Sequence, residues 1–155
     1  MTNITEDVHI KGFFLEGISV RTTNQNGQSA KDIGELWGRF MEGNVLLQIV
    51  DRLTDEIYCV YTDYETDHTG FYTAVLGCKV SSLDNIPEGL ISLIVPHADY
   101  VKYIAKGPLP NCVADAWQLI WNSNLQRTYI ADFDVWGAKA QNPQDVEVEI
   151  YVGVR

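Results

Sequence analysis

Positive charge is scarce in this chain: 11 Lys and Arg stand against 21 Asp and Glu, a formal net charge of −10 over 155 residues. The basic residues are scattered, which argues against a nucleic-acid surface, because neutralising phosphates needs clustered Lys and Arg. An acidic field instead raises the local concentration of cations. No apolar run approaches the length of a membrane span, and residues 1–7 lack the basic-then-apolar order of a signal peptide. A soluble cytoplasmic protein is expected, without membrane or direct nucleic-acid partners. Cysteine is also sparse: Cys59, Cys78 and Cys112 are odd in number and form no CxxC pair. Buried free thiols are expected rather than disulfides or zinc ligands. His9, His68 and His97 lie far apart in different local settings, so neither a metal nor a cofactor is expected.

What is present is an ordinary globular composition, 46% apolar and 21% charged, enough to bury the core of one domain over residues 1–155. One pattern occurs twice. Ile33, Leu36, Trp37, Phe40 and Met41 fall at i, i+3, i+4, i+7 and i+8, and Val113, Ala116, Trp117, Ile120 and Trp121 repeat the same offsets eighty positions later. Each set gives a helix one apolar face. Ser29 and Asp32 form a capping-box variant at the first helix, expected over about 30–41, with Gly43-Asn44 as its stop. Pro110-Asn111 opens the second, which ends near Asn122.

Strands are expected at 17–22, 58–64, 71–80, 90–95, 100–105, 129–136 and 146–154, each rich in β-branched or aromatic residues or alternating in polarity. The order is strand, helix, strand, strand, stated twice, in pseudo-repeats at about 8–82 and 88–155. The fold class is α+β: duplicated β-α-β-β units with pseudo-two-fold symmetry, an antiparallel sheet and both helices on one side. A chain built from two copies of one half tends to form its site along the seam between them.

The segments Arg21-Thr22-Thr23-Asn24, Leu36-Trp37-Gly38-Arg39-Phe40, Tyr58-Cys59-Val60-Tyr61-Thr62-Asp63-Tyr64-Glu65 and Gly70-Phe71-Tyr72-Thr73 resemble the GyrI-like effector-binding domain family. So do Ala116-Trp117-Gln118-Leu119-Ile120-Trp121, Asp132-Phe133-Asp134-Val135-Trp136 and Val148-Glu149-Ile150-Tyr151-Val152. The resemblance implies a ligand cleft between the halves. It points to the stand-alone, integron-cassette-like branch, without a DNA-reading segment, rather than to the fused transcription regulators. In drug-sensing members a carboxylate, usually the glutamate of a pattern like Asp-Phe-Glu-Val-Tyr, lies at the bottom of an aromatic cleft and pairs with cations. The matching residue here is Asp134, with Trp136 in the Tyr position. Aspartate is one methylene shorter, about 1.5 Å less reach.

Alternation puts Asp132, Asp134 and Trp136 on one strand face and Phe133 and Val135 on the other. A carboxylate removed from bulk water attracts an organic cation more strongly than a surface one, and ring faces add cation–π attraction. What the resemblance implies, and this chemistry is consistent with, is a small amphiphilic, cationic, drug-like ligand, bound by Asp134 with Trp136, Trp121, Tyr72 and Tyr61 as walls. Each residue also has a plainer reading. Asp134 would then be a solvated sheet-edge acid, Tyr72 a packed ring and Trp121 core at its helix end. Trp37 and Trp117, central in their stripes, are read as core. Glu147 and Glu149 are read as a solvated face, and whether Asp63 reaches the seam is left open. The resemblance also brings two alternatives: hydrolysis of small esters by the cleft carboxylate, though no nucleophile elbow or triad supports it, and inhibitory binding to DNA gyrase. A protein partner or a homodimer is left open.

Overall fold

A computed structural model describes residues 2–155, with Met1 and the side chains of residues 2–4 outside the description. Eight strands, β1 (Thr2–Ile10), β2 (Phe13–Thr23), β3 (Ile57–Thr62), β4 (Phe71–Val80), β5 (Ile91–Val95), β6 (Ala98–Gly107), β7 (Ala131–Trp136) and β8 (Val146–Val154), form one sheet. Its order is β1-β6-β8-β7-β3-β4-β2-β5, and every neighbouring pair is antiparallel. Helices α1 (Gln28–Glu42) and α2 (Val45–Gln48) lie between β2 and β3, and α3 (Asn111–Trp121) lies between β6 and β7. The architecture is α+β with a duplicated β-α-β-β core, and the seam runs between β3 and β7.

Each half also opens with a strand that pairs with the opposite half: β1 joins β6, and β5 joins β2. The first repeat is expected from about residue 8 and its first strand at 17–22, with no strand over the polar residues 1–7. The polar run at 5–7 instead pairs with β6, because an edge strand can be polar on both faces and so lacks the alternation that marks a buried one. In the middle of the β2–β4 ladder Gly17 faces Gly77. A Cβ on Gly77 would stand 2.1 Å from the Glu16 carbonyl oxygen, so the close approach of these two backbones depends on having no side chain there.

Both longer helices pack on the same face. Leu36 and Phe40 of α1 meet Cys59, Ala74 and Leu76, while Cys112, Ala116 and Ile120 of α3 meet Val148 and Ile150. The alternate residues of the same strands, Val60, Val75, Phe133 and Val135, face the other way with Phe13, Leu15 and Tyr100. The buried line of α3 runs at four-residue spacing through Cys112, Ala116 and Ile120, which leaves Trp117 and Trp121 about 100° round the helix. Met41, read as the last member of the α1 stripe, is 56% exposed, because the buried line runs through Leu36 and Phe40 and Met41 lies about 100° round the helix from Phe40. The three cysteines are free and buried.

Candidate functional site

Between α1 and α3, above β3 and β4, lies a cavity of about 350 Å³. Ala30 and Ile33 supply one wall from α1, and Ala114, Trp117 and Trp121 supply the other from α3. Tyr61, Tyr64 and Tyr72 form the floor, with Asn24, His68 and Arg127 around it. The rings brace one another. Tyr61 meets Trp117 edge-on at 5.3 Å, Tyr64 stacks on Tyr72 at 5.5 Å, and His68 lies nearly parallel to Trp121 at 5.7 Å and 10°. The Tyr72 hydroxyl donates to Asn24 Oδ1 at 2.6 Å, and Asn24 Nδ2 donates to the His68 carbonyl at 2.9 Å. The loop at 66–70 is thereby fixed to the rim.

Two carboxylates from β7 lie beneath this floor, and each accepts a hydrogen bond from a floor tyrosine. Asp132 accepts from the Tyr64 hydroxyl and from Arg127 Nη2 at 2.8 Å through Oδ2, and from the Gly153 amide at 2.8 Å through Oδ1. Its charge is compensated by Arg127 and both of its oxygens accept a hydrogen bond. Asp134 differs. Its Oδ2 accepts from the Tyr61 hydroxyl at 2.9 Å, while Oδ1 meets no partner of strict hydrogen-bond geometry, and no Lys or Arg pairs with it among the described residues. It is 1% exposed. Burial pushes its pKa up to about 7, against the opposing pull of hydrogen bonding from Tyr61 and the nearby indoles of Trp136 and Trp117. Burial, followed by the neighbouring Asp134 charge, raises the Tyr61 hydroxyl well above its usual range. Tyr61 therefore stays neutral and remains a donor.

The five residues named from sequence fall into two layers. Tyr61, Tyr72 and Trp121 line the cavity. Asp134 sits one layer down, covered by the Tyr61 hydroxyl, and Trp136 is turned away from the cavity to meet Trp37 edge-on at 5.2 Å. Trp117, read as core from its stripe, lines the cavity instead, because the α3 contact with the sheet is centred on Ala116. Asp63 is exposed in the loop after β3. Tyr64, His68 and Arg127 are not among the site residues named from sequence: Tyr64 is expected at the end of the strand at 58–64, which stops at Thr62, and His68 and Arg127 come from irregular segments where no periodicity assigns a face. No grouping of three or more His, Cys, Asp or Glu side chains able to hold a metal ion occurs among the described residues. None of the helices among the described residues is long and apolar enough to cross a membrane.

The sequence pattern of a family described as integron-associated effector binding protein matches residues 8–154. A putative transcriptional regulator protein of Bacillus subtilis (strain 168), YobU, is 27% identical over 144 residues, 90% of each chain. An integron cassette protein from the mobile metagenome of Vibrio cholerae is 31% identical and superposes with a TM-score of 0.74, covering 97% of this chain and 95% of that one. SAV2435, solved bound to tetraphenylphosphonium, superposes with a TM-score of 0.80 at 15% identity, over 99% of this chain and 94% of that one.

Proposed function

The chain belongs to the integron-associated effector binding protein family, and on that premise we propose that its cleft binds lipophilic, aromatic organic cations with Asp134 as the buried counter-ion. The observation that carries this reading is the imbalance between the two acids under the floor. Asp132 has a cation of its own, and Asp134 has none among the described residues. An uncompensated carboxylate beneath an aromatic cavity offers a field that a bulky cation can use without losing its charge to water. At roughly 6 Å and an effective dielectric near 20, a unit charge gains about 3 kcal/mol, and the tyrosine and tryptophan rings add about 0.5–2 kcal/mol per good contact. The likeness to SAV2435, which was solved with such a cation, supports the choice of ligand class.

Tyr61 gives this arrangement a way to respond. Its hydroxyl lies between ligand and carboxylate, so it relays polarity when in place and would expose Asp134 directly if the ring turned. Nothing in the geometry favours hydrolysis over binding, since the acid that would serve as base is covered by that hydroxyl.

Tryptophan fluorescence during titration with tetraphenylphosphonium tests the reading, because Trp117 and Trp121 line the cavity. Saturable quenching is expected, and Asp134→Asn is expected to weaken it tenfold or more, by about 1.4 kcal/mol for each factor of ten. Absent quenching, or quenching that the substitution leaves alone, overturns it.

A further inference from the structure

The cavity has a second polar group that cation binding does not use. Arg127 lines it, yet the residue is only 6% exposed. Its guanidinium lies 4.4 Å over the Tyr129 ring and 6.0 Å from that of Trp117, so its faces are occupied by aromatic rings. Its edge is only partly used: Nη2 donates to Asp132, while Nε and Nη1 find no acceptor among the described residues. Buried N–H groups without acceptors cost free energy, and a guanidinium holds its donors in a fixed plane. Asp132 does not take them up: its Oδ2 accepts from Tyr64 and from Arg127 Nη2, and its Oδ1 accepts from the Gly153 amide.

We propose that Arg127 forms an acceptor-binding subsite, and that the ligands this cleft prefers are aromatic cations that also carry a neutral, polarised carbonyl oxygen. The charge balance selects a neutral acceptor over an anion. Arg127 and Asp132 together are electrically neutral, so an added carboxylate would gain little from the pair and would be repelled by Asp132 and Asp134 nearby. A carbonyl oxygen accepts from Nε or Nη1 without that repulsion. Spacing follows from the strand. Asp132, which marks the Arg127 end, and Asp134, which marks the cationic end, are two residues apart on one face of β7, roughly 7 Å along the strand. A carbonyl separated from the cationic centre by one benzene ring spans about that length.

The inference rests on the cation-binding reading, and its test separates the two. Benzyltriphenylphosphonium and its 4-methoxycarbonylbenzyl analogue are compared by fluorescence titration against the wild-type protein. Failure of both to bind sinks the cation reading itself. If both bind, the ester is expected to bind about tenfold tighter, the scale of a hydrogen bond from a charged donor; a ratio near one overturns the subsite. Arg127→Met combined with Asp132→Asn removes both charges together, so no lone buried charge remains. In that variant the ratio is expected to fall to about one, and a preserved ratio overturns the assignment to Arg127. Should the variant not fold, infrared difference spectra of the carbonyl-13C-labelled ester on the wild-type protein decide. A carbonyl band moved to lower frequency on binding is expected, and an unshifted band overturns the proposal.

Discussion

The Tyr61 hydroxyl stands 2.9 Å from Asp134 Oδ2, joining the two central strands of the sheet by a side-chain bond at the seam of the duplicated halves. That bond places an acid with a pKa near neutrality directly beneath the cavity floor, and most of what the protein is expected to do with pH follows from it.

Cation binding is expected to strengthen as pH rises through about 7, because only the ionised form of Asp134 attracts the ligand and its pKa lies there. Binding near pH 6.5 is expected to release a fraction of a proton. Isothermal titration calorimetry of tetraphenylphosphonium in buffers of different ionisation enthalpy measures this. Heats that do not depend on the buffer would contradict the assignment.

Stability carries the opposite sign. The fold raises the Asp134 pKa from 3.8 to about 7, so folding favours its protonated form. The stabilising contribution is fully present below about pH 4 and is lost as pH climbs through 7. Asp134→Asn does not titrate, so it should gain on the wild type by on the order of 3 kcal/mol between pH 4 and pH 8. Urea denaturation at the two pH values measures the gain, and parallel stability curves would remove the buried acid from the account.

Tyr61→Phe removes the one side-chain donor that meets Asp134 Oδ2 among the described residues and leaves that buried carboxylate oxygen unmet. It is expected to cost about 1–3 kcal/mol at pH 8. It should also move the midpoint of pH-dependent ligand binding upward, since the charged form loses a stabilising partner. A midpoint unchanged from the wild type would show that the hydroxyl does not govern the acid.

Gly77→Ala should destabilise by about 3 kcal/mol or more, because the new methyl would meet the Glu16 carbonyl oxygen at 2.1 Å and the obstacle is backbone. Gly77 is remote from the cavity lining, so a folded variant at low temperature is expected to keep its ligand affinity. Thermal unfolding followed by circular dichroism, paired with the fluorescence titration, checks both halves of that statement.

Much of the scaffold was legible in advance because its strands alternate cleanly. Phe71–Val80 and Val146–Val154 match the expected ranges, since Tyr72 to Val80 and Val146 to Val152 place every second residue in the core. The helices were legible through their stripes, but a five-residue stripe is wider than the contact it marks. On α3 the sheet takes Ala116, and the neighbouring Trp117 is left to the cavity. The site was harder. Tyr61, Tyr72 and Trp121 could be named because they stand on regular elements. Tyr64 lies just past the point where β3 stops short of the expected strand, and His68 and Arg127 come from the segments at 63–70 and 122–130, where the fold brings together residues that no local pattern relates. Asp134 was legible as a face, since β7 alternates, but its depth beneath Tyr61 depends on the registry of β3 against β7.

The opening strand of each half completes the ladder of the other, β1 on β6 and β5 on β2. A protease cut between β4 and β5 would therefore yield two pieces that stay interlocked, each still holding the other's outermost ladder. Both longer helices are carried on this one shared sheet. The width of the opening is expected to be inherited from the whole eight-stranded surface, so selectivity among guests would come from fitting a gap of nearly constant size rather than from closure around them.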